Sequence, residues 1–274
     1  MNHLLRELAP ISDAGWKLVD DEARERLTPG LAVRRLADFD GPKGWTYSAT
    51  NTGRVETAGG GPVDGVTATQ RRVLPLIELR ADFTVSRAEL RDGDRGAVDV
   101  DFSSLDAAAQ RMALAENTAV FHGFQTAGMT GICDACAHRP ITLGDDFSQY
   151  PRYVAKAVEL LLEIGIAGPY GLALGSDGYT GVVETTEHGG YPVFEHLRHI
   201  LGGPIVWAPG VRGAVVLSLR GGDFLFESGQ DLSIGYDRHD ADAVHLYIEE
   251  SFSFRVATPE AAVALPAAKP RKRS

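Results

Sequence analysis

Between Val244 and Val256 every second residue is apolar, with one exception. Val244, Leu246, Ile248, Phe252, Phe254 and Val256 alternate with His245, Tyr247, Glu249, Ser251, Ser253 and Arg255. That period of two predicts a strand with one apolar face. At about 3.3 Å per residue it runs roughly 40 Å, well beyond the common strand length. Glu250 is the exception: either a bulge turns it outward or a partner charge meets it inside. So long a face needs an equally long cover, and Ser103 to Phe121 supplies one. Leu105, Ala108, Met112, Ala115, Ala119 and Val120 form a stripe at helical spacing. Ser103 reads as the N-cap, Asp106 suits the positive helix end, and Gly123 is placed to stop the helix. The alanines permit close approach, so the pair predicts a long helix packed on a long sheet.

The remaining pattern divides the chain. Residues 1–11 read as an extended arm. Ser12 caps a predicted helix to about Leu27, with Trp16, Val19, Ala23 and Leu27 on one face, and Thr28-Pro29-Gly30 ends it. Leu31 to Phe39 places Leu31, Val33, Leu36 and Phe39 around the Arg34-Arg35 pair. Residues 46–84 carry few large apolar groups around a glycine-rich tip at 59–61. A hairpin of this composition has no core of its own, and another chain is the simplest thing to cover it. Residues 126–220 alternate helices and strands and read as a compact α/β unit. Its helices run from Pro151 to Ile164 and from Tyr191-Pro192 to about Leu201. Its strands are Tyr170–Leu174, Ile205–Ala208 and Ala214–Leu219. After the turn at Arg220-Gly221-Gly222-Asp223 the chain returns to its first domain, which is therefore discontinuous.

Composition narrows the function. The 274 residues are 44% hydrophobic and 23% charged, an ordinary globular balance. No apolar run reaches the ~18 residues of a membrane span. The N-terminus lacks a signal-peptide apolar stretch. The expectation is a soluble, cytoplasmic protein with no membrane partner. Net charge is −10, and the tail from Lys269 to Ser274 holds four basic groups, leaving the rest near −14. So acidic a body argues against nucleic acid as a partner. The end of the chain, 266–274, reads as a disordered basic tail.

Candidate chemistry is sparse. Cys133-Asp134-Ala135-Cys136 with His138 has the spacing of half a zinc site or of a redox pair, and no second cysteine pair completes it. His196 and His199 lie three apart on a predicted helix and read as solvated. Gly175-Ser176-Asp177-Gly178 lacks nucleophile-elbow spacing. Neither a phosphate loop nor an H-E-x-x-H motif occurs. The expectation is a non-enzyme with no cofactor. The alternative is a metal- or thiol-dependent enzyme using Cys133, Cys136 and His138.

Several separated segments together resemble the encapsulins, prokaryotic nanocompartment shell proteins of the linocin-like family. They are Leu4-Leu5-Arg6-Glu7-Leu8-Ala9-Pro10-Ile11, Leu74-Pro75-Leu76-Ile77-Glu78-Leu79-Arg80, Gly168-Pro169-Tyr170, His188 to Pro192, Arg220-Gly221-Gly222-Asp223-Phe224 and Gly229-Gln230-Asp231-Leu232-Ser233-Ile234-Gly235-Tyr236. The resemblance runs from Met1 to about Leu265. It implies an α+β chain with the Hong Kong 97-type phage capsid fold. On that basis 1–45 form the N-terminal arm and helix with the start of the peripheral domain. Residues 46–84 form the extended loop, 85–125 with 221–265 the peripheral domain, and 126–220 the axial domain.

The same resemblance implies the function. Copies of the chain, sixty in the smallest closed form, assemble an icosahedral shell around a cargo enzyme. Family cargoes are dye-decolorising peroxidases or ferritin-like iron oxidases, each docking through a C-terminal peptide. Carried onto this chain, the docking residues are Leu27, Leu31, Arg34, Leu36, Asp38, Asp231, Ile234 and Tyr236, an apolar trough with Arg34 and Asp231 fixing the register. The five-fold pore is expected at Glu184, Glu187, His188, Gly189, Gly190 and Tyr191. Some members bind a flavin against a tryptophan; Arg87 stands there, so flavin is not carried over. A true phage major capsid protein is the competing occupant of the fold. The lack of a scaffolding segment or a basic DNA-facing region argues against it.

Overall fold

The computed structural model describes residues 3–187 and 189–268. The chain begins with a single 3-10 turn at Arg6–Leu8 and then helix α1 (Asp13–Leu27). The Ser12 hydroxyl accepts from the Gly15 N–H at 2.9 Å, capping α1 as its sequence requires. Two further 3-10 turns, Thr28–Gly30 and Val33–Arg35, lead to the short strand β1 (Asp38–Asp40). Strands β2 (Ala49–Gly60) and β3 (Thr67–Pro75) form the hairpin, followed by β4 (Ile77–Ser86) and α2 (Arg87–Asp94). Helix α3 (Ser103–His122) is the long spine. Next come α4 (Ile132–Ala135), α5 (Tyr150–Glu163), β5 (Tyr170–Leu174), α6 (Ser176–Glu184), α7 (Val193–Leu201), β6 (Ile205–Trp207) and β7 (Ala214–Ser218). Strands β8 (Phe224–Ser228), β9 (Ser233–His239), β10 (Ala243–Val256) and β11 (Ala262–Leu265) complete the chain.

The predicted strand and helix are β10 and α3, and they pack as expected. Strand β10 pairs antiparallel with β4 along one edge, from Ala243↔Ser86 to Phe252↔Ile77. Its other edge is shared end to end by two strands. β9 covers Val244 to Glu249, and β8 covers Phe252 to Val256. The length of β10 thus comes from serving two successive neighbours. Between them the chain at 229–232 departs from regular pairing, and Gly229 and Gln230 both bond to Ser251. The Gly229 N–H donates to the Ser251 carbonyl at 2.8 Å, and the Ser251 N–H donates to the Gln230 carbonyl at 2.9 Å. The irregularity in the β9–β10 pairing is an extra residue in β9, Asp237, opposite His245 and Leu246. β10 pairs with β4 in unbroken register through Glu250, so no bulge turns Glu250 outward. Its side chain is buried and paired.

The N-cap of α3 differs from expectation. The Asp101 carboxylate, two residues before Ser103, accepts from the Ser103 N–H at 2.9 Å, and this holds the Asp101 carboxyl below the usual range. The helix ends at Gly123, whose φ of 81° a side chain would strain. Helix α3 buries Leu105, Ala108 and Met112 in a first core with α1, β4 and β10, and Ala119 and Val120 in a second core with α5 and strands β5, β7 and β11, while Ala115 is only half-buried.

The second sheet has the order β11-β7-β5-β6. Its strands are buried along their whole length apart from Trp207, and α5, α6 and α7 flank it. Three pairings bear on the expected boundaries. Within 221–265, expected in one domain, Ala262–Leu265 pairs with Ala214–Leu217 of the second sheet. That unbroken apolar run suits a strand covered on both faces. Within 46–84, expected as the extended loop, the β2–β3 pairing ends at Pro75 and Ile77–Ser86 is the edge partner of β10. Residues 266–268, expected in the tail, are bonded to the segment at 143. The Leu143 N–H donates to the Pro266 carbonyl at 2.9 Å, and the Ala268 N–H to the Leu143 carbonyl at 3.1 Å. The rest of that tail, 269–274, lies outside the described residues.

The hairpin β2–β3 is almost wholly exposed beyond Thr50, including Val55 and Val73. Its base is fixed to the first sheet. Thr50 and Ser253 share a hydroxyl hydrogen bond at 2.6 Å, and the Tyr47 hydroxyl donates to Glu227 at 2.8 Å.

Candidate functional site

Arg34 stands at the gap between β8 and β9. The 3-10 turn Val33–Arg35 directs its guanidinium inward, where Nε donates to Glu116 at 2.9 Å, one terminal nitrogen to Asp231 at 2.5 Å, and the other to Glu250 at 3.1 Å. The aromatic rings of Phe39 and Phe226 lie 5.1 and 5.8 Å from the guanidinium carbon. Four separate segments therefore meet on one cation: the turn after α1, helix α3, the 229–232 crossing and β10. Gly229 is needed at that crossing, because a Cβ there would lie 2.5 Å from Leu76 Cδ2 and 2.7 Å from Ser251 Oγ.

Charge does not balance in this cluster. One guanidinium faces three carboxyls, of which Glu116 and Glu250 are fully buried and Asp231 is partly exposed. The Glu116 and Glu250 carboxyls meet at Arg34, and each has one buried oxygen that meets no protein donor. Burial pushes both carboxyls up, Glu250 furthest, because the neighbouring Glu116 adds to the effect of burial. For Arg34, burial acts to lower the pKa, but the three carboxylates outweigh it and hold the guanidinium charged. Two buried acids whose carboxyls are both pushed up beside one permanent cation titrate as an interacting pair.

Of the expected docking residues, Leu27, Leu31, Ile234 and Tyr236 converge in one core with α1, α3 and β10. None exceeds 9% exposure, so they form a floor rather than an open trough. The N-terminal arm runs over this floor. The Tyr236 N–H donates to the Leu4 carbonyl at 2.8 Å, and Arg6 pairs with Asp20 while stacking 3.9 Å over Trp16. His3 stacks on Trp45 at 3.8 Å and meets Glu249 at 2.8 Å. Arg34 and Asp231 touch each other. Arg34 is committed to carboxylates of its own chain. Leu36 and Asp38 lie elsewhere. Leu36 belongs to the second core. With Asp38, whose carboxylate accepts from the Gly222 N–H at 2.6 Å, it lines a cavity of about 180 Å³ near Asp223.

Sequence reasoning missed Glu116 and Asn117. Both are fully buried on α3. Asn117 donates to the carbonyls of Gly30 and Pro209 at 2.7 and 3.0 Å and accepts from the Ala32 N–H at 3.2 Å. A signal existed. Met112, Glu116 and Val120 are spaced four apart, so Glu116 falls on the apolar stripe just as Glu250 falls on the apolar strand face.

The expected pore residues form one tight loop between α6 and α7. Glu184 ends α6 and is exposed. A bridge pairs Thr186 with Pro192, and the Glu187 N–H donates to the Tyr191 carbonyl at 2.8 Å. Gly189 and Gly190 both have positive φ, and Tyr191 is half-exposed. His188 lies outside the described residues. The Glu187 carboxylate meets His196 Nδ1 at 2.8 Å, tying the loop to α7, and the Tyr191 and His196 rings lie 6.2 Å apart edge to face. His196 thus pairs with the loop, a partnership its spacing from His199 does not reveal.

Cys133 and Cys136 are free thiols at α4, partly buried against the second core. Burial pushes Cys133 up to about 12 and Cys136 up to about 11. The His138 ring nitrogen meets the Glu260 carbonyl at 2.9 Å. Among the described residues no three His, Cys, Asp or Glu side chains converge as a metal site requires.

Comparison with known proteins places this architecture. Its backbone resembles the crystal structure of a virus-like particle from Pyrococcus furiosus, with a TM-score of 0.60 and 19% identity over 89% of this chain and 98% of that one. It also resembles the capsid of an empty GTA particle (TM-score 0.52, 16% identity, 87% and 90% coverage) and that of Myoviridae phage XM1 (0.51, 10%, 88% and 91%). The chain therefore has the Hong Kong 97-type capsid fold, as its sequence led one to expect. The family model described as encapsulating protein for peroxidase matches residues 1–253. Type 1 encapsulin shell proteins match at higher identity. That of Rhodospirillum rubrum is 47% identical over 97% of this chain and 96% of its own length. That of Rhodococcus erythropolis is 43% identical over 97% and 100%, and that of Mycobacterium tuberculosis 40% over 97% and 99%. With the family model spanning nearly the whole sequence and relatives matching end to end, the chain belongs to the encapsulin shell protein family.

Proposed function

We propose that this chain assembles into a closed icosahedral nanocompartment in the cytoplasm and holds a cargo enzyme inside. The observation that carries the reading is the hairpin β2–β3. Its base is fixed by Thr50 to Ser253 and Tyr47 to Glu227, yet its length is exposed and carries Val55 and Val73 without a core. A rigidly rooted, uncovered hairpin is stable where a neighbouring copy completes its burial. Sixty copies make the smallest closed shell. Among the described residues no helix is long and apolar enough to cross a membrane.

The cargo is a peroxidase of the dye-decolorising kind, in keeping with the family description, or else a ferritin-like iron oxidase. Its C-terminal peptide docks beside Leu27, Leu31, Ile234 and Tyr236, where Asp231 is partly exposed, and the arm at 3–8 borders the same surface. Arg34 acts there through Asp231, which it positions. Leu36 and Asp38 border the cavity near Asp223 and serve the fold at that edge. The loop at Glu184, Glu187, Gly189, Gly190 and Tyr191 lines the five-fold opening that admits small solutes. The test is co-expression with a peroxidase carrying or lacking its C-terminal peptide. Cargo co-purifying with particles only when the peptide is present supports the reading. Equal capture of both forms, or of neither, removes the docking step.

A further inference from the structure

A group of arginines at the root of the hairpin is short of counter-charge. Arg54 on β2, Arg72 on β3 and Arg255 near the end of β10 line one open cavity of about 460 Å³, whose apolar part is supplied by Leu74 and Val256. Among the described residues only one carboxylate approaches them. Glu56 stands 3.6 Å from Arg72, too far for a hydrogen bond, and both side chains are more than half exposed. Arg54 has no ion-pair partner among the described residues. Arg255 makes one long contact, 3.4 Å, to the Thr52 carbonyl, and its Nε is buried with no acceptor. A buried donor without a protein acceptor costs free energy, and beside it the exposed guanidiniums of Arg54 and Arg72 are free to take acceptors from another molecule.

The rest of the molecule is of opposite charge. Net charge is −10, and these three guanidiniums form a positive basin on an acidic protein. A second cavity of about 270 Å³ continues the first, sharing Leu74, Arg255 and Val256 and adding Met129 and Phe254. The combined groove is cationic at one end and apolar at the other, and it is flanked by the exposed Val73. We propose that this groove receives an acidic, partly apolar surface segment of a second copy of the chain. Its carboxylates pair with Arg54, Arg72 and Arg255. The planar guanidinium favours two-point pairing with a carboxylate, which fixes register between copies rather than merely attracting them. A second copy is the occupant because the uncovered hairpin bearing two of the three arginines is the element that reaches other copies. The inference thus rests on the shell assembly proposed above and names its contact chemistry.

The test uses the full-length protein. The R54Q/R72Q double variant is compared with wild type by electron microscopy and light scattering across a salt series. Wild-type particles persist, whereas the variant loses particles at a lower salt concentration, with circular dichroism showing an unchanged fold. In parallel, R72K shells are assembled from a mixture of isotopically light and heavy protein and treated with a zero-length carbodiimide. The expected products are light–heavy cross-links from position 72 to an Asp or Glu. Cross-links only within one chain, to Glu56, would overturn the proposal. So would inorganic phosphate binding that calorimetry detects in wild-type shells and not in R54Q/R72Q while assembly is unaffected; the groove would then be a small-anion site. If wild-type particles form and the variants match them at every salt, this inference alone fails. If wild-type protein forms no particle, the shell reading fails with it.

Discussion

Glu116 on α3 and Glu250 on β10 face each other across the helix–sheet interface and share one counter-ion, Arg34, at 2.9 and 3.1 Å. Two buried acids on one guanidinium, with Asp231 at its outer edge, tie the discontinuous first domain together at the point where β8 hands over to β9. The domain is built from sequence-distant pieces, and this cluster joins them.

The raised Glu250 carboxyl gives stability a pH dependence of definite sign. Burial raises Glu250 in the folded state, so the folded protein holds a proton that the unfolded chain releases near pH 4.3. The stabilisation is complete below the ordinary carboxylate value and is lost as pH rises toward the raised one. The variant E250Q keeps the shape and cannot lose a proton. Its melting temperature should match wild type near pH 4, exceed it at higher pH, and fall less steeply as pH rises. Thermal melts from pH 4 to pH 9 check this.

Removing the cation has the opposite effect. The R34M variant leaves Glu116 and Glu250 buried without a counter-charge, and breaking a buried pair in this way costs about 3–5 kcal/mol. We expect low yield, an earlier denaturation midpoint and partial rescue by R34M/E250Q. Urea denaturation measures all three.

Asn117 makes a second, neutral tie. Its carboxamide satisfies Gly30, Ala32 and Pro209, linking the segment after α1 to the end of β6 through the spine. N117A strands these backbone groups, and one buried polar group without a partner costs about 1–3 kcal/mol. The variant should unfold earlier, with amide exchange rising first around 30–32.

The loop tied by Glu187 and His196 should behave differently. A partly exposed pair of this kind contributes under about 1 kcal/mol, so H196A leaves melting and particle formation unchanged. It frees the loop from α7. If the loop lines an opening, H196A particles admit a small dye faster than wild type, as stopped-flow quenching of an enclosed fluorophore would show.

The two cysteines should be chemically quiet. With the thiols pushed up to about 12 and about 11, almost no thiolate exists at neutral pH. Native particles should react slowly with a thiol reagent and fully once unfolded. The C133A/C136A variant should assemble as wild type does.

Much of this architecture is legible in the sequence. The alternation through β10, the stripe of α3 and the cap at Ser12 each reflect local periodicity or local hydrogen bonding, and each appears where predicted. Glu250 is legible as an anomaly but not in its resolution, because a strand pattern does not show what lies across it. Glu116 hid for the same reason on a helix whose alanines dominate the stripe. The strands that begin at Ile77 and Ala262 are pairing choices. Both segments have strand composition, and only tertiary context decides which sheet takes them. The apolar floor under the N-terminal arm illustrates a further limit, since Leu27, Leu31, Ile234 and Tyr236, expected at a groove, are buried as deeply as residues of a core.

Negative-stain electron microscopy of the protein expressed alone decides whether the chain closes into a shell. Uniform hollow icosahedral particles are the expected result. A monomer or small oligomer that persists at high concentration would overturn the shell reading.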